Sequence, residues 1–175
     1  MYLSLSPTRT LRRASAALAV VAVVLLAAVG TAAAKGPPQL TDAGTSAGSG
    51  NVIFGAGCFV NLTEDGTLTR TFVRGKVTFV LSSPYEATFC VQQSDAGGFT
   101  DTGTFTLSTP EGNLTANVSG TETTTFSLTL TATGGTGLYA GVAGTIAWNG
   151  TRTGTGTSTY TSSGTWTANL DRPVL

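Results

Sequence analysis

The chain contains no histidine, and charged residues make up only 10% of its 175 positions. Without an imidazole there is no histidine base, no His-ligated metal and no Ser-His-Asp triad. Soluble domains carry about a quarter charged residues, and a chain this poor in charge is not a coiled coil, a disordered acidic or basic tail, or an electrostatic nucleic-acid binder. Cations are especially scarce beyond residue 34. Lys35, Arg70, Arg74, Lys76, Arg152 and Arg172 face nine acidic residues, six against nine, for a net charge of about −3. No basic patch for phosphates and no polybasic stretch for a membrane surface remains. No cofactor or metal is expected.

What is present begins with a positive segment, Arg9, Arg12 and Arg13, followed by an apolar run from Ala14 to Gly30 in which Ser15 is the polar exception. Thr31-Ala32-Ala33-Ala34 then supplies small residues, with Ala32-x-Ala34 as the cleavage site of a secretory signal peptide. Residues 1–34 are therefore expected to be removed, leaving a secreted, extracellular protein with cell-wall association open and no membrane contact after cleavage. The alternative, a membrane anchor, needs roughly 20 apolar residues, and this run is shorter. Arg12-Arg13 raises the twin-arginine route, but Ala14-Ser15-Ala16 continues it poorly. Residues 35–50, rich in Gly, Pro, Ser, Thr and Ala without periodicity, read as a flexible linker. Residues 51–175 then form one domain, large enough for a real core.

From Asn51 onward apolar residues recur every second position. Phe99, Asp101, Gly103, Phe105 and Leu107 alternate with Thr100, Thr102, Thr104, Thr106 and Ser108. Leu114, Ala116 and Val118, then Phe126, Leu128, Leu130 and Ala132, repeat the pattern, as do Tyr160, Gly164, Trp166, Ala168 and Leu170. Successive strand side chains point to opposite faces, so each segment has one apolar and one threonine face. Strands are predicted over 51–62, 67–74, 76–82, 85–93, 99–109, 113–123, 125–134, 145–150 and 157–170. Turns are expected at Glu64-Asp65-Gly66, at Thr109-Pro110-Glu111-Gly112, where Pro and Gly suit a type I turn, and at Asn149-Gly150, a strong hairpin signal. Without helical crossovers the fold is all-β, a single antiparallel meander. Closure into a roughly eight-stranded barrel removes exposed edges and is favoured over a sandwich.

Cys58 and Cys90 are the two cysteines, and an exported chain permits one bridge between them. The alternative, a reactive thiol, has no nearby His or Lys in sequence to lower its pKa. Among the acids, Glu86 alternates with Tyr85, Ala87, Phe89 and Val91 and belongs on the solvent side. Glu122 is also predicted within a strand, and Asp65, Asp95 and Glu111 within turns. Asp101 shares a face with Phe99, Phe105 and Leu107, and Arg70 and Arg74 share parity with Leu68 and Phe72. Two readings follow: an inward Asp101–Arg pair, the kind of shifted acid that marks a site, or an Asp101 at the wet rim of the barrel. Asn61, Asn113, Asn117 and Asn149 each open an Asn-x-Ser/Thr triplet, as chance allows in a threonine-rich chain.

The run Gly134-Gly135-Thr136-Gly137-Leu138-Tyr139-Ala140-Gly141-Val142-Ala143-Gly144 is the most distinctive stretch. As a dinucleotide fingerprint it fails, because Thr145-Ile146-Ala147-Trp148 follows as a strand and no acid appears before Asp171. Its glycines permit positive φ in a long connection, and Leu138 and Tyr139 are expected to tuck over one end of the barrel. A strand ending in Gly-Gly-Thr-Gly, then a hydrophobic and an aromatic residue, then small residues before another strand, resembles the allene oxide cyclase and dirigent superfamily, closest to its secreted bacterial Thr/Gly-rich relatives. The resemblance covers Phe99 to Ile146. It implies an eight-stranded antiparallel barrel around an apolar cavity, with cyclisation or radical coupling in plant members and no cofactor. No catalytic residue is carried over onto this chain.

The resulting expectation is a secreted, non-catalytic binding or structural module. Any ligand is expected to be a small apolar molecule near Tyr139, Trp148 and Trp166, with Asp101 and Arg70 as polar groups. A cofactor-free cyclase or isomerase is the alternative, and a cavity below about 100 Å³ would exclude both. A third reading, a threonine-rich surface or ice-binding protein, needs a flat, regular threonine array.

Overall fold

Residues 40–55, 57–154, 158–172 and 174 are described by a computed structural model of the protein. Among the described residues eight strands follow one another: β1 Leu40–Gly55, β2 Cys58–Arg74, β3 Val77–Gln93, β4 Phe99–Thr109, β5 Gly112–Glu122, β6 Phe126–Gly135, β7 Gly144–Thr153 and β8 Thr159–Leu170. Each pairs antiparallel with the next, and β8 returns to β1, so the sheet is a closed barrel. Among the described residues the helical element is a single 3-10 turn at Gly137–Tyr139.

The expected alternation fills this barrel. Leu62, Phe89, Phe105, Leu107, Leu114, Phe126, Leu130 and Ile146 point inward and are buried, whereas threonines such as Thr88, Thr104, Thr129 and Thr131 stay exposed. Glu86 is exposed, as its parity requires. The Pro110-Glu111 turn closes β4 onto β5, with Thr109 opposite Gly112.

Four sequence readings need correction. First, the linker expected over 35–50 gives way to strand by residue 40, with residues 35–39 outside the described residues. Residues 40–51 pair with β8, and 45–55 with β2. Gly44, Gly48 and Gly50 on the inward side are small because neighbouring strand backbone and aromatic rings occupy the space. A Cβ on Gly44 would meet the Trp166 indole at 2.7 Å, one on Gly48 the Tyr85 hydroxyl at 2.5 Å, and one on Gly50 the Tyr160 ring at 2.8 Å. Second, the strand expected over 51–62 is broken by a hairpin, where Gly55 and Gly57 adopt φ of 91° and 90°, a region L side chains avoid. Third, 76–82 and 85–93 form one strand through Pro84. Pairing of β3 with β4 begins at Tyr85, so Pro84 lies where β3 has a partner on one side alone, a position that tolerates a missing N–H. Fourth, Glu64-Asp65-Gly66 and Asn149-Gly150 are not turns but lie inside β2 and β7.

The β2–β3 hairpin outruns its neighbours. Beyond Thr69, where pairing with β1 stops, it continues as a two-stranded arm on which Val73, Val77, Val80 and Leu81 are exposed.

Cys58 and Cys90 form a disulfide between β2 and β3, with their Cα atoms 5.4 Å apart. The bridge spans 32 residues of sequence, for which the chain-entropy account gives roughly 3–4 kcal/mol of stabilisation. Replacing both cysteines with alanine is expected to cost about that much in chemical denaturation; a change under about 1 kcal/mol would show that the bridge constrains little. Gly48→Ala is expected to destabilise by about 1–3 kcal/mol, the ordinary cost of overfilling a packed core, because the new methyl meets both the Tyr85 hydroxyl and Glu64. Unchanged stability of that variant would show that the fit between ring and glycine is loose.

Candidate functional site

The β1–β2, β3–β4, β5–β6 and β7–β8 hairpins all turn at one end of the barrel, the mouth. The other end is covered by the glycine-rich connection. Gly137 and Gly141 there have φ of 58° and 70°, and Tyr139 folds inward to donate from its hydroxyl to the Val174 carbonyl at 2.6 Å. Tyr139 is buried as expected; Leu138 is not, and stays 40% exposed.

At the mouth the interior is not full. Phe54 from β1, Phe59, Val60 and Leu62 from β2, Val91 from β3 and Phe99 from β4 surround a pocket of about 320 Å³, with Glu122 and Thr123 at the end of β5 as its polar members. The Phe59 and Phe99 rings stack with centroids 5.6 Å apart. The disulfide ties together the two strands that supply Val60, Leu62 and Val91 to this wall. A larger depression of about 560 Å³ is lined by residues such as Ser49, Asn51, Asp65, Thr159 and Thr161; these are exposed, and it lacks an apolar wall.

Below the pocket lies a buried charge cluster. Strand parity points Glu64 (β2), Asp101 (β4), Glu122 (β5) and Arg152 (β7) inward alongside their apolar neighbours. Arg152 Nη1 donates to Asp101 Oδ2 at 2.9 Å and also bonds Glu122 Oε2. Its Nε lies 3.7 Å from Glu64 Oε2. The guanidinium sits over the Phe89 and Phe126 rings, 4.3 and 4.8 Å from their centroids, so a cation–π contribution adds to the ion pairs. Glu64 in turn accepts hydrogen bonds from Tyr85 (2.5 Å), Ser162 (2.5 Å) and Tyr160 (2.9 Å). Asp101 Oδ1 and the Arg152 Nε and Nη2 groups are buried and make no hydrogen bond, an arrangement with a desolvation cost.

Each ionisation responds to this setting. Burial, followed by the Glu64 charge, drives the Tyr85 and Tyr160 hydroxyls well above the usual tyrosine range, so both stay protonated and donate. Burial alone would lower Arg152, but Glu122, Asp101 and Glu64 more than reverse it and raise its pKa. Burial raises Glu122 above its ordinary 4.5; Arg152 opposes the rise and Asp101 adds to it. Glu122 is thus a carboxyl with a perturbed proton affinity on a pocket wall.

The residues expected to form the site distribute differently. Asp101 is fully buried, so it is inward and paired rather than at a wet rim, and its arginine is Arg152. Arg70 instead lies 2.9 Å from Asp42, toward the closed end; the side chain of Arg74 falls outside the described residues. Tyr139, Trp148 and Trp166 are each 1% exposed and fill the barrel rather than line an opening. Trp148 packs among Tyr85, Phe89, Phe105 and Phe126 and donates to the Ser46 hydroxyl at 2.8 Å. Trp166 donates to the Thr45 carbonyl at 3.1 Å. Glu64 and Arg152 were hidden because their segments read as turns, although Val60-Leu62-Glu64 and Ile146-Trp148-Gly150-Arg152 each keep one parity.

Among the described residues no group of Cys, Asp and Glu side chains is placed to hold a metal ion, and no helix is long and apolar enough to cross a membrane. No known protein family, curated protein or solved structure matches the chain.

Because its folded pKa is raised, Glu122 holds a proton that the unfolded chain has released. Its contribution to stability is present below pH 4.5 and is lost as pH rises through the folded value. Thermal unfolding from pH 4 to neutrality is therefore expected to show a decline that Glu122→Gln flattens, with Arg152, Asp101 and Glu64 unchanged. Parallel curves for the two proteins would remove Glu122 as the source.

Proposed function

We propose that this chain is an exported barrel that holds a small apolar molecule in its mouth and performs no chemistry on it. The observation that carries this reading is the pocket itself. Six apolar side chains from four strands bound a space of about 320 Å³, within the roughly 300–1,000 Å³ of small-ligand sites, and its few polar groups converge at one place. Export is supported by the layout of residues 1–34 and by a disulfide that suits an oxidising compartment. Kinship with the allene oxide cyclase and dirigent barrels is supported by the closed eight-stranded antiparallel sheet, a fold that by itself does not choose between binding and catalysis.

One observation favours the second reading, a cofactor-free cyclase or isomerase. Glu122 lines the pocket with a raised pKa and Arg152 beside it, which suits a general acid. Adhesion through a threonine array has less support, since the threonines follow a closed, curved wall.

Both leading readings require occupancy of the mouth. The neutral dye prodan is expected to bind with enhanced, blue-shifted emission. Thr123→Trp, which fills the opening from an exposed bend, should weaken it by about tenfold or more. Thr129→Trp, on the outer wall, should leave it unchanged. Equal binding by all three proteins would place the dye elsewhere and defeat the proposal.

A further inference from the structure

The polar end of the pocket has a definite charge. Three carboxyl groups, Glu64, Asp101 and Glu122, converge on one guanidinium; the excess is two negative charges with all three ionised and one with Glu122 protonated. Glu64 is supplied by three hydroxyl donors, but these carry no charge. The other inward cation pair described, Arg70 with Asp42, lies toward the opposite end. Neither Glu64 nor Asp101 can be reached from outside, since both side chains are fully buried. Glu122 is the member of the three that lines the pocket, with 13% of its side chain exposed. Anything entering the mouth meets the cluster through this carboxylate.

From this geometry we infer that the occupant is an amphiphilic amine, whose apolar body lies among Phe54, Phe59, Val91 and Phe99 and whose ammonium group bonds Glu122. This rests on the reading of the mouth as a ligand site and adds the chemistry of the head group. A carboxylate head would bring a further negative charge to an array already in anionic excess. A hydroxyl head would supply a hydrogen bond but no charge. An ammonium supplies both, as a charge-assisted hydrogen bond in a partly desolvated site. Where Glu122 is protonated, the ammonium takes the place of that proton, and binding there releases it. Affinity therefore rises with pH until the amine itself deprotonates. The groups facing that carboxylate are Arg152 from β7 and Asp101 from β4, with Glu64 from β2 behind them.

Three probes with one body separate the possibilities: 2-naphthylmethylamine, 2-naphthylmethanol and 2-naphthoate, titrated calorimetrically into the disulfide-bonded protein at several pH values. The amine is expected to bind about tenfold or more tighter than the alcohol, and the acid weakest. The amine's advantage should grow with pH as Glu122 ionises, from pH 4.5 upward, while the alcohol's affinity stays flat. In Glu122→Gln the amine and alcohol should bind within about threefold of each other. Equal or tighter binding of the alcohol or the acid by the unaltered protein overturns the amine assignment and leaves the apolar pocket standing. So does an amine preference that survives Glu122→Gln. Failure of all three probes to bind overturns the pocket reading itself. The comparison among probes on the unaltered protein decides the question even where the variant folds poorly.

Discussion

Closure through the β1–β8 ladder is the constraint on which the molecule depends. Leu40 to Asn51 pair with Leu170 to Thr159 without interruption, and that seam turns a curved sheet with two open edges into a cylinder with an inside. Once closed, the sheet must be filled by alternate residues alone, and the filling is uneven. Trp166 and Tyr160 on the adjacent β8 lie beside Gly44 and Gly50, and Trp148 and Tyr85 reach from β7 and β3 to Ser46 and Gly48 of β1. Large rings and the small inward residues of β1 are two halves of one packing solution. The weakest-looking strand in composition is thus the one that the heaviest side chains require.

The same filling explains why a charge cluster can sit inside. An arginine in a barrel of this size would be costly alone. Here it lies against Phe89 and Phe126 and meets carboxylates from three other strands. The aromatic plug around Trp148 occupies the middle of the barrel and Tyr139 the closed end, so the remaining space is displaced to the mouth. Glu122 stands where the cluster ends and the pocket begins, and its carboxyl belongs to both.

Much of the fold was legible because threonine and apolar residues alternate so strictly from β4 to β6 and along β8. Those elements fell within a residue or two of their expected bounds, and the Pro110-Glu111 turn and the cysteine pair followed from local chemistry. What escaped was phase. Asn149-Gly150 favours a hairpin in isolation, but here Gly150 packs against Phe126 and Gly164 inside a continuous strand; reading it as a turn discards the parity that aims Arg152 inward. Glu64-Asp65-Gly66 misled in the same way. Asp101 was recognisable as an inward acid, yet its arginine lies 51 residues away on a strand that is not its neighbour, a pairing that periodicity within one strand cannot supply. The aromatic residues were legible as important but not as filled space, because whether a tryptophan lines a cavity or occupies it depends on what faces it.

Leu40 and Leu170 are opposite each other at the end away from Phe54, Phe99 and Glu122. Whatever is joined ahead of β1 or after β8 thus leaves from the far pole of the cylinder. Tethered by either of these strands to a bead, an electrode or a larger assembly, the barrel would present its opening to bulk solution, and small molecules would reach it without crossing the attachment.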